Sequence, residues 1–151
     1  MGTFAIEFTD ASLPAPAADV RGTLTLGDEV EYFKAPTDYW NLEHYRASWS
    51  TALHRIVTGH HVSCLITSIH APDSAAIVQV WPLYLDGAVV HVQHQLIFLG
   101  QPDISFDPAA PWESVPPRAT VNDDGDRISE WSVPVVDIGD FLRHADTTHR
   151  P

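Results

Sequence analysis

Two apolar runs, Ala76–Leu85 and Ala88–Phe98, flank the dipeptide Asp86-Gly87. Asp-Gly favours a tight turn whose two central residues take positive φ, so β-rich sequence on either side must fold back on itself. A long antiparallel hairpin is thus the firmest constraint on the fold. Val62–His70 precedes it as a further strand, with Val62, Cys64 and Ile66 on one side and Leu65 and Ile69 on the other. Apolar side chains on both sides predict a sheet covered on both faces.

The best helix is Tyr39–Thr58. Leu42, Tyr45, Trp49, Leu53 and Ile56 recur at three- and four-residue spacing and form one apolar face. Thr37 or Asp38 is positioned to cap its start and Gly59 to stop it. Near the N-terminus, Thr3–Phe8 alternates as a short strand, and Gly22–Leu26 with Glu29–Phe33 predicts a hairpin about Gly27-Asp28. Leu24, Leu26, Val30 and Tyr32 are its expected inward residues.

Prolines 102, 108, 111, 116 and 117 exclude helix and central strand from Gly100–Pro117, yet Ile104, Phe106 and Trp112 are too apolar for a solvated tail. A long loop pinned across the fold by those residues is expected. Ile128–Val136 returns as a strand containing Trp131, with Pro134 arguing for a sheet edge, and Val136–His144 as a short helix with Ile138, Phe141 and Leu142 inward. The class is α+β: a mainly antiparallel sheet with one long amphipathic helix packed on it, a long Pro-rich loop and a short C-terminal helix. The 151 residues make one domain, with an N-terminal arm over 1–21 and a frayed tail over 145–151.

Signatures of chemistry are sparse. There is no Gly-x-Gly-x-x-Gly, Walker loop, Gly-x-Ser-x-Gly elbow or His-Glu-x-x-His. Nine histidines are scattered; His91 and His94 fall on opposite faces of a strand, and His94 shares its face with Val90, Val92 and Leu96, which makes it a core candidate. Asn122-Asp123-Asp124-Gly125 fails as a calcium loop, because Trp131 stands where a bidentate glutamate is needed. Cys64, alone in the chain, reads as a buried inert thiol, and Glu43 and His44 as solvated helix residues. No cofactor and no metal site is expected. No apolar run reaches the ~18 residues of a membrane span, and Met1–Asp10 lacks the basic, apolar pattern of a secretory signal, so a cytoplasmic protein is expected.

Charge is the feature that points outward. Twenty Asp and Glu against eight Lys and Arg give a net charge of −12. Such a surface repels nucleic-acid phosphates and anionic membranes and favours basic partners. The acids Asp103, Asp107, Glu113, Asp123, Asp124, Asp126 and Glu130 crowd a loop-rich half that holds only Arg118 and Arg127 in return. Trp112 and Trp131 lie in the same region, where they anchor the loop to the core or serve as aromatic contacts for a partner.

The order of several short motifs is informative: Tyr45-Arg46-Ala47-Ser48-Trp49 with Ala52-Leu53 and Gly59; Trp81-Pro82-Leu83-Tyr84 before Asp86-Gly87; Phe106-Asp107-Pro108; Pro116-Pro117-Arg118; and Gly125 with Ile128-Ser129-Glu130-Trp131-Ser132. Across Tyr32–Leu142 the chain resembles the small immunity proteins of contact-dependent growth inhibition systems. The resemblance implies a non-catalytic cytoplasmic protein that binds and neutralises a cognate toxin domain, often a nuclease. It transfers no binding residues. From the residues themselves, Asp107, Asp123, Asp124, Asp126 and Glu130 are the candidates for charge contact with a basic toxin domain, and Trp112 for an aromatic anchor. The alternative is an enzyme or small-ligand binder with a pocket at His91, Gln93 and Gln95, a polar row on an otherwise apolar strand.

Overall fold

The computed structural model describes residues 3–9, 19–70, 77–99 and 106–149. In chain order the elements are β1 (Phe4–Phe8), β2 (Val20–Leu26), β3 (Glu29–Ala35), α1 (Leu42–Val57), β4 (Val62–Ser68), β5 (Ile77–Asp86), β6 (Val89–Gln93), β7 (Gln95–Phe98), a 3-10 turn (Pro111–Ser114), β8 (Glu130–Pro134) and α2 (Val135–His149). They form the expected α+β architecture. One antiparallel sheet has the order β1-β2-β3; the second runs β4-β5-β6-β8, with β7 also paired to β5. Among the described residues no helix is long and apolar enough to cross a membrane.

In the small sheet, Gly27-Asp28 are the two central turn residues, so Leu26 faces Glu29 and Leu24 faces Glu31. Residues opposite one another share a face. The apolar residues of β2 therefore force the odd positions of β3 inward: Phe33 and Ala35 are buried, whereas Val30 and Tyr32 are 42% and 79% exposed. This reverses the expected parity. Gly22 is required here, because a Cβ would run into the Phe33 ring and lie 2.8 Å from the Glu7 carbonyl. The expected arm over 1–21 is corrected at both described ends: Phe4 and Ile6 are core residues of β1, and β2 begins at Val20. Residues 10–18 lie outside the described residues.

The hairpin between β5 and β6 turns through Gly87-Ala88, one residue later than expected, with Asp86 paired to Val89 and Gly87 at φ 62°. Its return strand is split into β6 and β7. Leu83↔Val92 and Val80↔Gln95 keep the same register, which sets Gln93 opposite Pro82. Proline offers no N–H to a ladder, and the pairing lapses there. β8 is the outer strand beside β6, as Pro134 implies. The chain passes directly into α2, where the Val135 N–H donates to the Ala88 carbonyl at 2.9 Å. α2 runs to His149, beyond the expected helix end at His144.

α1 starts at Leu42 and is capped by Asn41, whose Oδ1 accepts from the His44 N–H at 2.8 Å; the caps expected at Thr37 and Asp38 lie a turn too early. The helix lies along β4, the other outer strand of the large sheet. Its side chains supply donors to that strand's backbone: Arg55 Nε to the Val62 carbonyl at 2.8 Å and Trp49 Nε1 to the Ile66 carbonyl at 2.7 Å. The Tyr45 hydroxyl accepts from the Ile69 N–H at 3.2 Å and donates to the Pro36 carbonyl at 2.8 Å. Around Trp49 gather Phe8 at 4.8 Å, Phe33 at 5.8 Å and Tyr45 at 6.3 Å between ring centroids, so one helix joins both sheets. Ile138 and Leu142 of α2 are buried, and Phe141 meets Phe4 edge-on at 5.6 Å.

The Pro-rich segment is pinned as expected. Phe106, Trp112 and Val115 pack against the core, and Tyr84 Oη donates to the Pro116 carbonyl at 2.8 Å. Ile104 lies outside the described residues. Cys64 is fully buried and burial pushes its pKa up, which makes it inert as expected. His94 departs from its expected core role: its ring rests on Trp81 at 4.6 Å but is exposed, and partial loss of water lowers its pKa.

Tyr45→Phe keeps the ring but strands the Pro36 carbonyl and the Ile69 N–H. Leaving a buried polar group unpaired costs about 1–3 kcal/mol. A loss of that size for each group is expected in urea denaturation.

Candidate partner-binding surface

The acidic turn is built by one asparagine. Asn122 Oδ1 accepts from the backbone N–H groups of Asp124 at 2.9 Å and Asp126 at 3.0 Å, and Gly125 supplies the positive φ of 85°. Val121 and Arg127 close the loop with a single bridge. Asp123, Asp124 and Asp126 are exposed. Their carboxylates take no part in holding the turn, so three negative charges stand on a short, defined backbone.

Glu130 has a different environment. It starts β8 opposite Gln93 on β6, and its side chain is 17% exposed. Arg118 donates to both its oxygens, from Nε at 2.8 Å and Nη2 at 2.7 Å, and Gln93 Nε2 donates at 2.8 Å. The hydrogen bond from Arg118 holds the Glu130 carboxyl below its usual range. Its charge is neutralised within the protein, so it fastens the 118–130 excursion to the sheet more than it presents charge.

The polar row divides in the same way. His91 and Gln93 share the face that carries Glu130 and Ser132. His91 Nδ1 lies 2.9 Å from Ser132 Oγ, and Nε2 lies 3.4 Å from Asp86 Oδ2. Gln93 is 5% exposed, and its amide also donates to the Ala119 carbonyl at 2.9 Å. Gln95 stands beyond the break in the strand, on β7. The cavity lined by Glu130, about 350 Å³, is otherwise lined by Thr120, Arg127, Ile128 and Ser129. His91 and Gln93 are engaged by Ser132 and Glu130, and neither lines this cavity.

Asp107 and Trp112 come together elsewhere, in a groove of about 410 Å³ between the Pro-rich segment and the start of α1, where Tyr39, Trp40 and His44 also line it. Asp107 is exposed, and its Oδ1 accepts from the Ala109 N–H at 2.9 Å. Trp112 is half-buried against the core with the Arg55 guanidinium over its ring at 4.4 Å. Trp131 is a clip between the sheets: its Nε1 donates to Glu29 Oε2 at 3.2 Å and its ring lies 5.7 Å from Trp81. The six candidate residues thus fall on two supports, the β6–β8 corner and α1. Tyr39 beside Asp107 and Trp112, and Arg118 as the partner of Glu130, are placements that the sequence does not signal, since adjacent aromatics ahead of a helix and an Arg after Pro-Pro are weak signals.

The Glu130 ion pair carries a pH dependence of defined sign. Its pKa is lower folded than unfolded, so its contribution is present above the ordinary glutamate value of about 4.3 and is lost as pH falls through the folded value. Urea midpoints measured between pH 6 and 3 should fall less steeply for Glu130→Gln than for the wild type.

Comparison with known proteins agrees with the fold. The family described as "CdiI N-terminal domain" matches residues 35–141. A curated relative, "Immunity protein CdiI" of Enterobacter cloacae subsp. cloacae, is 29% identical over 119 residues, which cover 79% of this chain and 81% of the relative. A chain of the solved "CdiA-CT/CdiI toxin and immunity complex from Enterobacter cloacae" superposes with a TM-score of 0.84 at 25% identity, covering 96% of this chain and 99% of that one. The family match begins at the last residue of β3, whereas the structural match extends over nearly the whole chain. Over residues 35–141, from the end of β3 through α1 and the large sheet into α2, this chain belongs to the CdiI N-terminal domain family.

Proposed function

We propose that this chain is an immunity protein that binds a cognate toxin domain and blocks it, with no reaction of its own. The observation that carries this reading is the match over 96% of the chain to a chain of a solved toxin and immunity complex. Three features of the molecule support it. The polar residues most suggestive of catalysis, His91, Gln93 and Glu130, are engaged with neighbours. The net charge of −12 is available for a basic partner. The Asp123–Asp126 turn presents carboxylates that the fold does not use.

The toxin domain is taken as basic and, on charge grounds, as a nuclease, since a site that holds phosphates is positive and an acidic inhibitor imitates its substrate's charge. Neutralisation takes place in the cytoplasm. Asp123, Asp124 and Asp126 steer the encounter, while Asp107 and Trp112 belong to a second contact beside α1. Glu130 contributes by holding the 118–130 segment in place.

Association kinetics test this. The triple reversal of Asp123, Asp124 and Asp126 to lysine leaves the Asn122 turn intact and should slow association about tenfold or more at low salt. Added salt should narrow the difference, because exposed charges are screened over ~8 Å at physiological ionic strength. Unchanged association of the folded variant would remove this turn from the interface.

A further inference from the structure

Resting on that reading, we propose that the groove between the start of α1 and the Asp107–Trp112 segment receives one arginine side chain of the toxin domain. Its residues satisfy three requirements of a guanidinium seat.

The first is a flat aromatic surface. Tyr39 lies against Trp40 at 6.4 Å with an interplanar angle of 11°, and His44 against Trp40 at 4.5 Å and 14°. The buried Trp40 ring fixes the two outer rings, and Tyr39 is 42% exposed. A planar cation gains attraction from such a face, and arginine stacks on it better than lysine does.

The second is a placed carboxylate. The Ala109 N–H holds Asp107 Oδ1 at 2.9 Å and so orients the group. An ionised carboxylate has about four acceptor positions, so this bond leaves capacity for a donor from outside.

The third is the absence of a competing cation. Among the described residues the groove is lined by no lysine and no arginine, and along α1 it is lined by Ala47, Ser48 and Thr51. Arg55, which sits over the Trp112 ring, is committed to the Val62 carbonyl. Trp112 therefore serves as a wall, and the cation seat falls to Tyr39 and Asp107. A volume of about 410 Å³ admits one long side chain and not a folded element.

The test uses the toxin domain recovered with this chain by co-purification from its native cell, purified as an inactive variant, with dissociation constants measured by calorimetry. Asp107→Asn preserves an acceptor for Ala109 while removing the charge; Tyr39→Ala removes the face. Each should weaken binding about tenfold or more. Thr51→Arg, at an exposed helix position, places a cation and bulk in the groove without disturbing the core, and should weaken binding likewise. An arginine-to-alanine scan of the toxin domain should find one residue whose loss is not additive with Asp107→Asn. Variants that melt like the wild type and bind within about twofold of it would overturn the groove proposal alone. A wild-type chain that fails to bind the toxin domain would overturn this proposal together with the function it rests on.

Discussion

The structure depends on how the open edge of β4 is closed. An outer strand leaves backbone donors and acceptors without a ladder partner, which is both a cost and an invitation to wrong pairing. Here α1 supplies the missing partners from its side chains: Arg55 at Val62, Trp49 at Ile66 and Tyr45 at Ile69. The same Tyr45 reaches the Pro36 carbonyl at the end of β3, and the same Trp49 lies among Phe8 and Phe33 of the small sheet. Removing α1 would expose the strand edge and take away the aromatic cluster that joins the two sheets around Trp49.

That arrangement explains how much was legible beforehand. The apolar stripe of α1 announced the helix, because burial on one face requires three- and four-residue spacing. The roles of Tyr45, Trp49 and Arg55 as backbone partners were hidden, since a side chain's hydrogen-bond partner is set by tertiary placement. The parity of β3 failed for a nameable reason: Val30 and Tyr32 look more apolar than Glu29 and Glu31, but a two-residue turn pairs Leu26 with Glu29 and leaves no choice of face. Pro82 in a central strand was visible, yet its effect on Gln93 and on the split between β6 and β7 followed only from register.

The candidate surface was read unevenly. Acidic residues were identifiable by count and by their position in a loop-rich half, but composition cannot distinguish a carboxylate that faces water from one already paired. Asp123, Asp124 and Asp126 are of the first kind and Glu130 is of the second. Asn122 proved to be the architect of the turn, and it allows the three neighbouring aspartates to remain outside the hydrogen-bond network. The His91–Gln93 row, odd in an apolar strand, is the receiving side of the Glu130 and Ser132 contacts. On this strand the polar side chains of His91 and Gln93 contact the next strand.

Fold and charge lead to one claim, that this chain silences a toxin domain by binding it. Growth protection addresses it most directly. Cells expressing the cognate toxin domain should stop growing, and co-expression of this chain should restore growth, with the two proteins recovered together at near-equal stoichiometry. Continued toxicity while this chain accumulates in folded form would contradict the account.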